Sequence, residues 1–514
     1  MLTLFSCNSP KEETKQKPNI LFAIFDDASY SHFGAYGCEW VKTPAFDRVA
    51  NEGILFTRAY TPNAKCAPSR SCILTGRNPW QLEEAINHWP YFPKKFKTYA
   101  ETLTDNGYHV GYSGKGWAPG IPGEINGVKR ELAGTPYNQQ ELEPPTKQIS
   151  PNDYTSNFIE FLDANKNGEP FCFWYGSKEP HRRYEYGSGQ VKGGKSPADV
   201  DKVYSFWPDT DSVRMDMLDY AYEIEYGDKH LGYMLEELEK RGELDNTIVV
   251  VTSDNGMPFP RIKGQEYEFS NHLPLAIRWP KGIRNPGRKV DDLVNFIDFA
   301  PTFLELAGID GEQAGMQAIQ GKSLTNIFQS EKNGTVDAAR DRILIGKERH
   351  DIGRPNDWGY PIRGIIKADY LLVQNFETDR WPAGNPETGY LNCDGGATKT
   401  VILDRQYDPA DSKYWQWSFG KRPELEFYNI KTDPECMTNL ADQEDVQGMI
   451  AELKDQMLRE LKEQSDPRMM GKVAELEEIV YSDKTGTDFY TRYMNGEKMN
   501  TGWVNDTDFR PLKE

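Results

Sequence analysis

The sequence predicts an α/β protein: a large, mostly parallel sheet between helices, followed by a smaller α+β unit with a short antiparallel sheet. Three observations predict it. Short, continuous apolar runs end abruptly in polar residues, the form of strands buried on both faces. Longer stretches with apolar residues at helical spacing alternate with them. From about Asp341 that alternation gives way to short strand-like pieces between loops rich in Gly, Pro and Asp. At 514 residues the chain exceeds what one hydrophobic core organises. Two units fit, 19–340 and 341–514, after a leader at 1–18.

The leader is apolar from Met1 to Ser6, shorter than a full signal peptide and without Lys or Arg. Leu4-Phe5-Ser6-Cys7 and the polar stretch behind it resemble the end of a bacterial lipoprotein signal. That reading makes Cys7 the lipidated residue and the protein a periplasmic or cell-surface lipoprotein. Asn19 to Phe25 is the first buried strand, ending in Asp26-Asp27. The same form recurs at Phe171 to Tyr175, with His181 soon after, and at Thr247 to Thr252, just before Asp254. Tyr108 to Ser113 is a further strand, followed by Gly114-Lys115. Ser212 to Arg241 is the longest predicted helix, with Met215, Leu218, Tyr222, Leu231, Met234, Leu235 and Leu238 as its apolar stripe.

In the second unit the strands are Arg342 to Ile345, Arg363 to Ile366, Tyr370 to Val373 and Leu425 to Tyr428, with a helix from Gln443 to Gln464. Beyond Ser465 the pattern predicts no regular structure. No run of 18 apolar residues occurs, so no helix spans a bilayer. A net charge of −19 argues against a nucleic-acid partner. It also repels any anionic substrate at long range, so such a substrate needs a local cluster of cations. The seven cysteines are sparse and irregular, indicating neither a disulfide framework nor a zinc site. With Cys7 and Cys66 modified, at most two disulfides could form.

In sheets of this kind chemistry sits beyond the carboxyl ends of the strands. Asp26-Asp27 end one buried strand and Ser253-Asp254-Asn255-Gly256 end another. Three carboxylates and an amide oxygen make a hard-oxygen site suited to calcium or magnesium. Either turn alone is weak evidence, since such turns after strands are mostly just turns. Cys66-Ala67-Pro68-Ser69-Arg70, followed by Leu74-Thr75-Gly76-Arg77, is far more specific. If Pro68 opens a helix, Cys66 and Arg70 share one face, near an N-terminus that favours an anion.

That pentapeptide and its Leu-Thr-Gly-Arg sequel resemble the signature of the type I sulfatases. Other family-like motifs follow in order: Pro18 to Asp27, Thr43 to Gly53, Ile54 to Tyr60, Thr252 to Gly256 and Leu425 to Leu440. Ser253 to Pro260, Glu179 to Arg182 and Tyr360 to Arg363 further resemble the heparan N-sulfatase branch. The resemblance implies an alkaline-phosphatase-like fold and removal of sulfate, as O-ester or N-sulfate, from glycans such as glycosaminoglycans or mucin-type sugars. It implies that a dedicated maturation enzyme converts Cys66 to formylglycine, the nucleophile precursor. Asp26, Asp27, Asp254 and Asn255 would hold calcium, or less readily magnesium, with Cys66 touching the same ion. Arg70 would pair with the nucleophile or a ligand carboxylate, Lys115 and Lys263 would bind sulfate, and His181 would protonate the leaving group.

One position departs from the family. A histidine normally follows two residues after the lysine, and Trp117 stands there. His88 is the candidate to cover its role, and Trp117 could instead wall a sugar ring. Further substrate contacts are expected from His88 and Trp89, from Glu348, Arg349 and His350, and from Arg354, Arg363 and Arg380, which supply aromatic faces and bidentate donors. Two other readings share the motifs: a phosphonate or phosphate monoester hydrolase, and a catalytically impaired protein that binds sulfated glycans. The intact Cys66, Arg70 and aspartates count against the latter.

Overall fold

The computed structural model describes residues 17–499 and 501–512; Cys7 and nearly all of the expected leader lie outside them. The main sheet comprises β1 (Asn19–Phe25), β2 (Ile54–Phe56), β3 (His109–Gly114), β4 (Thr135–Pro136), β5 (Phe171–Gly176), β6 (Thr247–Ser253), β7 (Leu275–Arg278) and β8 (Arg288–Val290). Their spatial order is β8-β2-β7-β6-β1-β5-β3-β4. β1 lies at the centre, parallel to β5 and β6. β3 runs parallel to β4 and β5, and only β7 is antiparallel to its neighbours β6 and β2.

The β1 sequence explains this position. All seven residues are buried. Because side chains alternate across a strand, Leu21, Ala23 and Phe25 enter one core while Ile20, Phe22 and Ile24 enter the other. The first core takes helices α1 (Pro44–Asn51), α4 (Tyr154–Ala164) and α5 (Asp211–Lys240). The second takes α2 (Cys66–Thr75), α3 (Tyr99–Asp105) and α6 (Phe299–Ala307). Phe22 alone meets Trp174, Phe299 and Phe303 at ring separations of 4.8–5.8 Å. Burying one such side chain contributes roughly 1.5–3 kcal/mol.

The expected strands and long helix are present with ends shifted by a few residues at most. α5 is capped by Thr210, whose hydroxyl accepts from Val213 N. From its interior face Asp228 accepts the Ala45 and Phe46 backbone N–H groups at 2.9 and 2.8 Å, closing the N-terminus of α1. One expectation was off by two residues: α2 opens at Cys66, not at Pro68, with Lys65 at the N-cap making no side-chain cap bond. Pro68 has no N–H to lose, so it is tolerated in that first turn.

A four-stranded antiparallel sheet follows, β9 (Arg342–Lys347), β10 (Ile362–Lys367), β11 (Tyr370–Asn375) and β12 (Leu425–Asn429), in that order. One face packs on α7 (Gln447–Glu463) through Ile450, Leu453, Met457 and Leu461. The other meets Tyr60 and Tyr267. The tail beyond Ser465 is more ordered than its polarity suggested. Tyr481, Phe489 and Val504 cluster with Ile352 and Leu391, an aperiodic aromatic packing that no helical or strand period announces. Among the described residues all six cysteines are free and buried. No helix among them is long and apolar enough to cross a membrane.

Candidate active site

The register of β1 against β6 places Phe25 beside Ser253. The residues that leave the two strands, Asp26-Asp27 and Asp254-Asn255, therefore emerge side by side. Asp27 N donates to Asp254 Oδ1 at 3.0 Å, and Asn255 Nδ2 donates to Asp27 Oδ1 at 2.7 Å. Asp27 takes a left-handed backbone (φ 75°), which aspartate tolerates better than most residues. Cys66, first residue of α2, enters the same cluster with Sγ 3.5 Å from Asp26 Oδ1 and 3.8 Å from Asp27 Oδ1. One ligand atom from each of Asp26, Asp27, Cys66 and Asp254 lies within 4.8 Å of all the others.

Three cations surround these carboxylates. Arg70, one turn along α2, donates from Nε to Asp254 Oδ2 at 2.8 Å and from Nη1 to the Lys115 and Gly116 carbonyls. Lys115, at the end of β3, bridges both Asp26 oxygens at 2.7–2.8 Å. Lys263 donates to Asp27 Oδ2 at 2.6 Å and to Asp394 Oδ2 at 2.9 Å. Burial alone would lower the Lys263 ammonium, but Asp27 and Asp394 reverse that and raise it well above its usual range. Burial likewise opposes ionisation of Asp26, yet Lys115, His181 and Arg70 hold its carboxyl well below the ordinary range.

Burial pushes the Cys66 thiol well above its ordinary value. Unmodified, it is a neutral thiol at physiological pH and a poor nucleophile. Its place at the start of α2 nonetheless puts the positive end of the helix beside it. His181 is about one-third exposed, with Nδ1 donating to the Arg182 carbonyl at 2.6 Å and Nε2 3.9 Å from Asp27 Oδ2.

The residues fit a hard cation. Asn255 Oδ1 is buried without a hydrogen-bond partner, so a carbonyl oxygen stands ready beside three buried carboxylates. A buried acceptor left unmet costs about 1–3 kcal/mol, and a cation removes that cost.

Cys66 opens into a cavity of about 200 Å³ whose walls include Lys115, His181, Lys263, His88, Trp89 and Trp503. His88 Nδ1 bonds Asp351 Oδ1 at 2.8 Å, and Lys65 Nζ lies 2.9 Å from Asp351 Oδ2. Burial lowers the His88 imidazole to about 4, leaving it neutral, with Nε2 unpartnered. Trp117 faces an adjoining cleft, and its Nε1 donates to Ser71 Oγ at 2.8 Å.

A family model described as Sulfatase matches residues 18–309, more than half of the chain. This chain belongs to the sulfatase family. It is a sulfuric ester hydrolase. Among its relatives, the N-acetylglucosamine-6-O-sulfatase of Bacteroides thetaiotaomicron is 28% identical over 476 residues, covering 74% of this chain and 82% of that one. Human N-sulphoglucosamine sulphohydrolase is 24% identical over 491 residues, covering 90% and 93%. A solved structure in complex with its substrate D-glucosamine-2-N,6-O-disulfate has a TM-score of 0.62 at 23% identity, covering 88% of this sulfatase and 99% of that chain.

The remaining sequence-expected substrate contacts lie elsewhere. Arg363 has no exposed surface and is spent on Asp466 and Glu348. Glu348 pairs with Arg468 as well. Arg354 donates to the Trp381 and Pro382 carbonyls, and Arg380 pairs with Glu477. Arg349 is buried and donates to the Ile479 carbonyl. None of these five charges lines the Cys66 cavity. His350 is buried with Nε2 2.7 Å from Asn63 Oδ1 and does not line the cavity. Conversely, sequence reasoning missed Lys65, Asp351, Asp394 and Trp503. Only Lys65 carried a signal, its adjacency to Cys66.

Proposed function

We propose that this sulfatase removes sulfate, as an O-ester or an N-sulfate, from sulfated glycans. A sulfated glucosamine unit is the substrate that the two glucosamine-specific relatives favour. The observation that carries the reading is Cys66 at the head of α2, held 3.5 Å from Asp26 between the ammoniums of Lys115 and Lys263. That arrangement suits a tetrahedral oxyanion: cations on two sides, a helix N-terminus behind, and a carboxylate-bound metal site adjacent.

Asp26, Asp27, Asp254 and Asn255 would hold calcium, with Cys66 beside it. Calcium would supply Lewis-acid polarisation, and a maturation enzyme's conversion of Cys66 to formylglycine would supply the nucleophile. The chain's own groups do the rest. Lys115 and Lys263 exchange their carboxylate contacts for sulfate oxygens as substrate enters. Arg70 keeps Asp254 and the loop at Lys115 in register. The Nδ1 bond of His181 to a backbone carbonyl fixes the ring so that Nε2 faces the cavity. From there it protonates the departing oxygen or nitrogen, which is too basic to leave unaided. A bacterial periplasmic or cell-surface lipoprotein, anchored at Cys7, is the location this reading carries.

The test is a panel of defined sulfated mono- and disaccharides, each paired with its phosphate counterpart, given to protein from a host that converts Cys66. Release of sulfate from at least one sugar, and no faster release of phosphate, is expected. Phosphate release alone would replace the reading with a phosphomonoesterase.

A further inference from the structure

We propose that the cleft between Trp117 and Lys178 is a second saccharide subsite, taking an anionic sugar unit joined to the one whose sulfate is removed. The inference rests on the glycan-sulfatase reading above and adds what it leaves open: that the enzyme grips a neighbouring unit of the chain.

The cleft has a volume of about 610 Å³, within the range of small-ligand sites. It shares Lys115, Ala118 and His181 with the Cys66 cavity, so a saccharide passing these residues occupies both. Its wall is Trp117, fixed by the bond to Ser71 and by edge-on packing against Phe92 at 5.3 Å. A ring held in one orientation offers its face to the apolar side of a sugar.

Its floor holds Glu223, on the inward face of α5, only 2% exposed and with Oε1 unpartnered. Burial, then the neighbouring Glu179 and Asp219 carboxylates, raise the Glu223 carboxyl well above its ordinary range, although Arg182 opposes them. A carboxyl oxygen without a partner accepts from a sugar hydroxyl, and the group donates as well whenever it holds its proton. A buried polar atom without a partner is uncommon in a folded protein and points to something that meets it.

The rim carries Lys147 and Lys178, both exposed. On a chain of net charge −19, Lys147 and Lys178 at the rim, with Lys115 and Arg182 further in, oppose the carboxylates of Asp26, Glu179 and Glu223 and supply local cations for an anionic sugar. The combination of a fixed aromatic wall, a hydroxyl-binding floor and a cationic rim selects a sugar bearing carboxylate or sulfate.

Calorimetry on the Cys66→Ala protein, which binds without turnover, tests this with D-glucosamine-2-N,6-O-disulfate and with the disaccharide joining that unit to a uronate. The disaccharide should bind more tightly. Lys147→Ala with Lys178→Ala should weaken it about tenfold, the effect of two exposed ion pairs, and leave the monosaccharide unchanged. Glu223→Ala should act in the same direction. Equal losses on both sugars would mean that the cleft holds the first sugar, and no loss on either that it binds none. Either result overturns the proposal. If neither sugar binds the Cys66→Ala protein, the glucosamine assignment falls, and the subsite proposed for a unit joined to it falls as well.

Discussion

Arg70 donates from Nε to Asp254 Oδ2 at 2.8 Å, and neither side chain has any exposed surface. The pair ties α2, which carries Cys66, to the end of β6, which carries two of the expected cation ligands. A buried pair broken on one side leaves an uncompensated charge, at a cost of about 3–5 kcal/mol. Arg70→Ala should lower unfolding free energy by that amount in denaturant titration as well as remove activity. Loss of activity with unchanged stability would show that Arg70 acts on substrate alone.

Calcium should raise the thermal midpoint of the wild type. At a hundredfold excess over its dissociation constant, the expected gain is about 2.7 kcal/mol. Asn255→Ala and Asp254→Asn should abolish the increment, since each removes an oxygen from the cluster. A calcium response that survives both changes would place the ion elsewhere.

His181 should matter in proportion to the basicity of the leaving group. His181→Ala should slow a sugar sulfate by ~10²–10⁴-fold and a nitrophenyl sulfate much less, because nitrophenolate leaves without a proton. Equal losses, read as kcat on the two substrates, would make His181 a binding group.

Asp228 should make stability fall with rising pH. Burial raises its carboxyl from 3.8 to about 7 in the fold, against the opposing N–H bonds from Ala45 and Phe46. A raised folded value means the native state holds the proton more tightly. That contribution is complete below about 4 and is lost as pH rises through about 7. Between pH 5 and 8 the wild type should lose stability relative to Asp228→Asn, by thermal melts at matched ionic strength. A constant difference across that window would contradict the shift.

The fold was legible where the pattern was unambiguous. Within Asn19 to Phe25, every residue after Asn19 is apolar, which admits no amphipathic alternative, and this segment is the central strand. The start of α2 was misplaced because Lys65 lacks the usual capping side chain. The polar cluster was legible where its side chains directly follow strands, at Asp26, Asp27, Asp254 and Asn255. Asp394 was not, since it lies 131 residues along the chain from Lys263, in an irregular segment between β11 and β12 that no strand end or motif announces. Arg363 and Glu348 lie away from the Cys66 cavity, and composition alone does not distinguish a guanidinium open to a sugar from one buried in an ion pair with Asp466 and Glu348.

The most direct test of the account is peptide mass spectrometry of residue 66 together with sulfate release by the same preparation. Protein from a converting host should carry the aldehyde at residue 66 and release sulfate from a sulfated sugar. Cys66→Ala should release none. Undiminished release by Cys66→Ala, or by protein whose Cys66 remains a thiol, would contradict it.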